Sequence, residues 1–200
     1  MDTAGELILI RHGETEWSRS GRHTGRTDVA LTALGEEQAS ALIPYLDARN
    51  VVHALVSPAS RARRTAQLAG VVGVEIEADL WEWDYGGYEG RTSREIRHEH
   101  PGWYLWTDGI IPGDDAHPGE SIQQVGARVD AVLDRVQILL DDGDVLVVAH
   151  GHVLRVLTAR WLGLEPAAGR LFRLDTGKVS VLGKEHDRAV IAAWNIPPVV

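Results

Sequence analysis

Three short apolar runs punctuate the chain, at residues 7–10, 54–56 and 145–149, and none of them alternates with polar positions. Aliphatic runs of this length predict strands buried on both faces, as in a parallel sheet. Between them the apolar spacing becomes helical. Ala39, Leu42, Ile43 and Leu46 recur at three- and four-residue intervals, and Thr32 stands just ahead of them. Threonine there can cap the first turn. Pro44 falls inside the same pattern; it lacks an N–H and clashes with the preceding turn, so the helix should kink or shorten. Residues 60–68, 93–99 and 153–162 read as further helices. From 122 to 140, Val125, Val129, Val132, Val136 and Leu140 form one apolar stripe, the pattern of a helix laid on a core. Residues 179–182 and 189–194 read as late strands. Strands alternating with helices predict an α/β sandwich around a mainly parallel sheet.

The stretch from Trp81 to Gly119 breaks this rhythm. It is rich in Trp, Tyr, Gly, Pro and His, and it reads as a lid-like insertion over the site. Its aromatic residues suit either a substrate mouth or internal packing. With no repeat, low-complexity tract or linker, the 200 residues read as one domain. A chain of this length can bury a sizeable core without staples. The absence of cysteine excludes disulfides, thiol catalysis and cysteine-bound zinc. The net charge of −9 disfavours nucleic acid and anionic membranes as partners. It also means that any phosphate site must gather its cations locally. The apolar run at 7–10 is too short for a leader core and has no basic segment before it, and no stretch is long enough to span a bilayer. A cytoplasmic location is expected.

Each buried run leads directly into polar residues. The first continues as Arg11-His12-Gly13-Glu14-Thr15, the second as Ser57-Pro58-Ala59-Ser60-Arg61, the third as His150-Gly151-His152. Ligands of open α/β sheets bind beyond the carboxyl ends of the strands. If the three strands are neighbours, Arg11, His12, Arg61 and His150 converge on one small anion. Arginine offers a planar fork of donors matched to phosphate oxygens. A neutral imidazole can attack phosphorus and carry it covalently, and nearby arginines disfavour its protonation. His150 can stabilise charge on the equatorial oxygens. An acid for the leaving oxygen is expected among Glu82, Asp84 and Glu89; burial beside Trp81 and Trp83 suits Glu82 to carry a proton. Glu120 reads equally as a site contact or a helix start. His98-Glu99-His100 reads as a solvated helix end, since residues two apart do not share a helical face. His152 reads as a helix cap or a supporting residue.

These segments, in this order, resemble the histidine phosphatase superfamily over nearly the whole chain. Arg11-His12-Gly13 resembles its RHG signature. Ser57-Pro58, Arg61-Ala62 and Thr65-Ala66 look like its second motif, and Glu82, Tyr85-Gly86 and Tyr88-Glu89-Gly90 like its third. Gly119-Glu120-Ser121 and Ala149-His150-Gly151 look like the fourth and fifth. The resemblance implies a three-layer, phosphoglycerate mutase-like α/β sandwich and a cofactor-free, metal-free mechanism. In it His12 takes the phosphoryl group, Arg11, Arg61 and His150 hold it, and Glu82 protonates the leaving alcohol and then activates water. Ser18, Thr24, Gly25, Tyr85 and Gly151 fall where relatives contact substrate or phosphate; Ser18 departs from the mutase pattern, which usually has asparagine there.

In the mutases, a long insertion between the third and fourth motifs carries extra basic residues. Here 36 residues, positions 83–118, separate Glu82 from Gly119; they include Arg91, Arg94 and Arg97 but no lysine and no adjacent arginine pair. Mutases must keep the phosphoenzyme from water, and so short a segment favours hydrolysis. Residues 21–28, 82–86 and 106–109 resemble the actinobacterial acid phosphatases and the sedoheptulose 1,7-bisphosphatases. The expectation is a phosphatase of small phosphorylated metabolites. A phosphoglycerate mutase, a non-catalytic phospho-ligand-binding module and a metal-dependent hydrolase are the alternatives, the last without good ligand spacing.

Overall fold

The computed structural model of the chain describes residues 5–198; residues 1–4, at the start of the stretch that precedes the first apolar run, lie outside the described residues. In chain order the elements are β1 (Leu7–Arg11), α1 (Glu16–Ser20), α2 (Ala33–Ser40), α3 (Ile43–Asp47), β2 (Val51–Val56), α4 (Ser60–Leu68) and β3 (Val74–Ile76). They continue as α5 (Ser93–Glu99), α6 (Leu105–Asp108), α7 (Ile122–Leu139), β4 (Asp144–Ala149), α8 (Gly151–Trp161), β5 (Val179–Glu185) and β6 (Arg188–Ile196). Every strand and helix expected from the pattern is present. The pattern missed α1, β3 and α6, which are five residues or fewer and too short for a periodicity to develop. Pro44 acts as its chemistry requires: α2 stops at Ser40, and a separate helix restarts at Ile43 with the proline in its first turn. One boundary matters for function. The last helix begins at Gly151, two residues before its apolar stripe.

The six strands form one sheet in the order β3-β2-β4-β1-β5-β6. β3, β2, β4 and β1 run parallel, and β5 pairs antiparallel with β1. β1, β4 and β2 are therefore neighbours. Their ends are also level: Arg11 stands opposite Ala149, and Val56 opposite Val148. The three polar segments leave the sheet side by side for that reason.

Successive side chains of these strands enter different layers, as a pleat requires. Leu7, Leu9, Leu55, Val145 and Val147 pack with α7 and α8. Ile8, Ile10, Ala54, Val56, Leu146 and Val148 pack with Leu42 and with Ala62 and Ala66 of α4. The result is helix, sheet, helix, which explains why the strand sequences carry no polar face.

The aromatic segment is built into this core rather than laid over it. Trp83, Tyr85, Tyr88, Ile96, Trp103 and Trp106 are buried against the α7–α8 layer. Trp83 also donates its indole N–H to the Glu120 carbonyl at 2.8 Å, and Gly87 N–H donates to Ile111 at 2.9 Å. The segment forms a wall, tied at both ends.

Candidate active site

The level strand ends place His12 and His150 edge to face, with ring centroids 5.2 Å apart. The ring of His12 is fixed by its own backbone: Nδ1 lies 2.7 Å from the Gly13 carbonyl. A carbonyl only accepts, so Nδ1 carries the proton and Nε2 keeps a free lone pair. Burial, with Arg61 and Arg11 close by, holds the His12 pKa well below the usual histidine range. A neutral imidazole with an open Nε2 is a nucleophile in its reactive form. The loop behind it is clamped by Thr65 of α4, whose hydroxyl accepts Gly13 N–H at 3.0 Å and donates to the Arg61 carbonyl at 2.7 Å.

The two arginines are held differently. Arg11 donates from Nη1 to the Leu174 carbonyl at 2.6 Å, while its buried Nε has no partner among the described residues. A buried, unmatched donor is costly; an anion in the neighbouring cavity would relieve it. Gly151 leaves the room for this approach, since a Cβ there would stand 3.2 Å from the Arg11 guanidinium carbon. Arg61 is fully buried, and its donors are largely spent inside the protein. Nε donates to His150 Nδ1 at 3.1 Å, Nη1 to the Thr27 carbonyl at 2.9 Å and Nη2 to the Gly25 carbonyl at 3.0 Å. It brings positive charge to His12 and braces residues 24–27.

The same bond decides His150. Arg61 only donates, so His150 Nδ1 accepts and Nε2 carries the proton, which goes to the Ser57 hydroxyl at 2.7 Å. Burial, Arg61 and His12 hold its pKa well below the histidine range. Both ring nitrogens are thus engaged, and a bound oxyanion would have to take the place of Ser57.

Of the three carboxylates that the sequence left open, Glu82 alone lines the cavity. Glu89 is bound to Gly25 N–H and Thr27 N–H, and Asp84 accepts from Gly86 N–H. Glu82 caps α8, with Oε2 receiving His152 N–H at 2.9 Å and Oε1 receiving Val153 N–H at 2.8 Å and Trp83 N–H at 2.9 Å. This setting differs from the apolar one expected beside Trp81 and Trp83. Two of these amides belong to the first turn of α8 and the third to Trp83, so the carboxyl group is fixed in place with one donor on Oε2 and two on Oε1. Glu120 pairs with Arg128 at 2.9 Å and lies outside the cavity.

The cavity encloses about 320 Å³ and draws its walls from Arg11, His12, Ser18, Thr24, Glu82, Tyr85 and Gly151 among others. Ser18 uses its hydroxyl to cap α1, accepting Thr15 N–H at 2.9 Å and donating to the Thr15 carbonyl at 3.0 Å. Gly25 does not reach the cavity; its N–H goes to Glu89 and its carbonyl to Arg61. Tyr85, pushed well above the usual tyrosine pKa chiefly by burial, keeps its proton, and its hydroxyl is hydrogen-bonded with His152 Nδ1 at 2.6 Å. The aromatic residues divide: Tyr85, Tyr104 and Trp106 line the cavity, whereas Trp83 and Trp103 pack behind it.

Sequence reasoning passed over His23, Arg22, Arg97 and Arg155, which also line this space, and Ser57 and Thr65 as its supports. Arg155 was detectable, because it lies four residues beyond Gly151 and so on the same helical face. Among the described residues no group of three or more His, Asp and Glu side chains is placed to hold a metal ion.

Residues 7–197 match the profile of the histidine phosphatase superfamily, branch 1. The chain belongs to this family. Among histidine phosphatases it is 41% identical over 182 residues to an acid phosphatase of Mycobacterium tuberculosis, covering 90% of this chain and 87% of that protein. It is 36% identical over 189 residues to sedoheptulose 1,7-bisphosphatase of Saccharomyces cerevisiae, covering 78% and 67%. The solved structure of an open reading frame from Mycobacterium tuberculosis superposes with a TM-score of 0.90 at 37% identity, over 98% of this chain and 99% of that one. The mainly parallel six-stranded sheet between helical layers is the fold that this histidine phosphatase shares with that neighbour.

Proposed function

We propose that this histidine phosphatase hydrolyses phosphomonoesters of small metabolites through a phosphohistidine on His12. The observation that carries this reading is a neutral His12 with its Nε2 unengaged, lining one cavity together with Arg11 and Glu82. In the first step Nε2 attacks phosphorus, the ester P–O bond breaks, and Glu82 passes a proton to the leaving alcohol oxygen. In the second, Glu82 takes a proton from water, the water oxygen attacks phosphorus, and the N–P bond breaks to release inorganic phosphate. Arg11 binds the transferred oxygens directly, Arg61 supplies positive charge from behind, and neutral His150 offers its Nε2–H once an oxyanion takes the place of Ser57. Gly151 keeps the Arg11 approach open, and Ser18, Thr24 and Tyr85 shape the entrance. A cavity of about 320 Å³ suits a metabolite rather than a macromolecule. Charged phosphoesters of that size are retained inside cells, so a cytoplasmic setting belongs to the same reading.

The test uses p-nitrophenyl phosphate with and without a chelator. Turnover should persist in chelator, fall at least about a thousandfold in His12→Ala, and leave acid-labile phosphate on the native protein. Full activity in His12→Ala sinks the reading. Interconversion of phosphoglycerates faster than their hydrolysis replaces it with a mutase.

A further inference from the structure

The cavity holds more positive charge than one phosphoryl group needs. Arg22, Arg97 and Arg155 line it together with Arg11, although the protein as a whole carries −9. Ten other arginines in the described residues have a carboxylate within 4 Å; these four do not, and the remaining four without one, Arg63, Arg94, Arg170 and Arg188, are exposed to solvent. Their partners are neutral. Arg22 donates to the Gly90 carbonyl at 2.8 Å, Arg97 to Trp103 at 2.9 Å, and Arg155 to Gly169 at 3.0 Å. Such bonds aim a guanidinium without neutralising it.

Arg155 is the most constrained of the three. Its guanidinium carbon sits 4.6 Å from the centre of the Trp106 ring, a stacking that fixes its plane. Burial lowers its pKa, and nearby Tyr104 and Glu82 only partly offset that. It lies on α8 one turn beyond Gly151, the residue that abuts Arg11. One turn is about 6 Å along the axis, and helix side chains lean back toward the N-terminus. Arg155 therefore stands beside the reacting end, with Arg97 of α5 and Arg22 toward solvent.

Resting on the function proposed above, we infer that Arg155, assisted by Arg97 and Arg22, forms a second anion site, so that the substrate is an ester with a further phosphate or carboxylate a few carbons from the scissile oxygen. An exposed cation at a mouth is ordinary. A half-buried one, stacked, aimed by carbonyls and left without a counter-charge, is costly unless a ligand supplies the charge. The group to be read is an anion on the part of the substrate that leaves with the alcohol. Its recognition stabilises binding before and during the chemistry alike, and so acts on KM.

The experiment compares kcat/KM for fructose 1,6-bisphosphate, 3-phosphoglycerate, glycerol 1-phosphate and p-nitrophenyl phosphate in the native protein and in Arg155→Gln, Arg155→Met, Arg97→Gln and Arg188→Gln. Loss of a charge-assisted pair lowers the preference for a two-anion substrate over glycerol 1-phosphate by about 10- to 100-fold in the Arg155 variants, mostly through KM. Arg97→Gln follows in the same direction. Arg188, exposed on the edge strand β6, serves as the control and leaves the preference unchanged. Arg155→Met keeps the stem over Trp106 and so separates charge from packing. A loss confined to the bisphosphate or to the phosphoglycerate supports the site and says which anion it reads. An unchanged preference in both Arg155 variants, or an equal loss on all four esters, overturns it. Absence of any hydrolysis by the native protein would instead overturn the phosphatase reading.

Discussion

Lowering the pH from 7.5 to 5.5 should cost this protein a large part of its stability, and the cause is three buried imidazoles. His12, His150 and His152 all have pKa values held well below 6.5, in each case first by burial. Neighbouring arginines add to the effect: Arg61 at His12 and His150, Arg155 at His152. The unfolded chain binds protons at these positions with the ordinary histidine pKa of about 6.5. The folded chain does not. The unfolded state therefore takes up more protons as pH falls, and the folded state loses ground from about pH 6.5 downward. Above that pH the contribution is fully present, since neither state is protonated. Each such histidine costs RT ln(1 + 10^(6.5 − pH)), about 0.1 kcal/mol at pH 7.5, about 0.4 at pH 6.5 and about 1.4 at pH 5.5. If the folded groups take up no proton over this range, the three together set an upper bound of about 4 kcal/mol on the loss. Against a total of about 5–15 kcal/mol for an ordinary domain, that is decisive. Urea unfolding at 25 °C and fixed ionic strength, at half-unit steps of pH, measures it directly. The midpoint should fall below pH 6.5, and in the folded protein the imidazoles at these positions should show by NMR no titration at the ordinary histidine midpoint of about 6.5. A flat stability profile between pH 7.5 and 5.5, or a His12 resonance titrating near 6.5 in the folded state, refutes the reasoning.

Two further outcomes follow from single contacts. Glu82→Gln keeps an oxygen for the amides of α8 but cannot pass a proton, so kcat should fall about 100- to 10,000-fold on alkyl phosphates and far less on p-nitrophenyl phosphate, whose leaving oxygen needs no acid; equal losses on both would remove Glu82 from proton transfer. Thr65→Val leaves buried Gly13 N–H without its acceptor at nearly constant volume and should cost about 1–3 kcal/mol in urea unfolding, a null effect showing that the His12 loop is held by other means.

Much of the molecule is written locally. The three aliphatic runs could only be doubly buried strands, because they offer no polar face. Pro44 had to interrupt its helix, since a pyrrolidine ring offers no N–H. Thr92 and Glu95 form the reciprocal cap that starts α5 where its sequence suggested a helix. The residue types of a phosphoryl-transfer site, and their place at the ends of those runs, were equally open to inspection. Hydrogen-bond direction was not. That His12 carries its proton on Nδ1, that His150 is saturated by Arg61 and Ser57, and that Arg61 braces a loop with donors expected to grip phosphate all depend on partners 34 to 93 residues away or on one local carbonyl.

The sequence by itself determined the elements, the layering and the chemical kit, because periodicity, propensity and side-chain type are properties of neighbours along the chain. Tertiary structure alone decided which carboxylate shares a cavity with His12, which arginine keeps an unmatched donor and which tautomers His12 and His150 adopt. Residue type alone left Glu82 one of three carboxylates, and the family resemblance preferred it; in the fold α8 begins at Gly151 and turns two amide N–H groups toward it. Arg22, Arg97 and Arg155 come from three separate segments, and only folding brings them to one cavity. Burial, and with it the direction of every pKa shift in the site, belongs to the packed molecule and not to any stretch of its sequence.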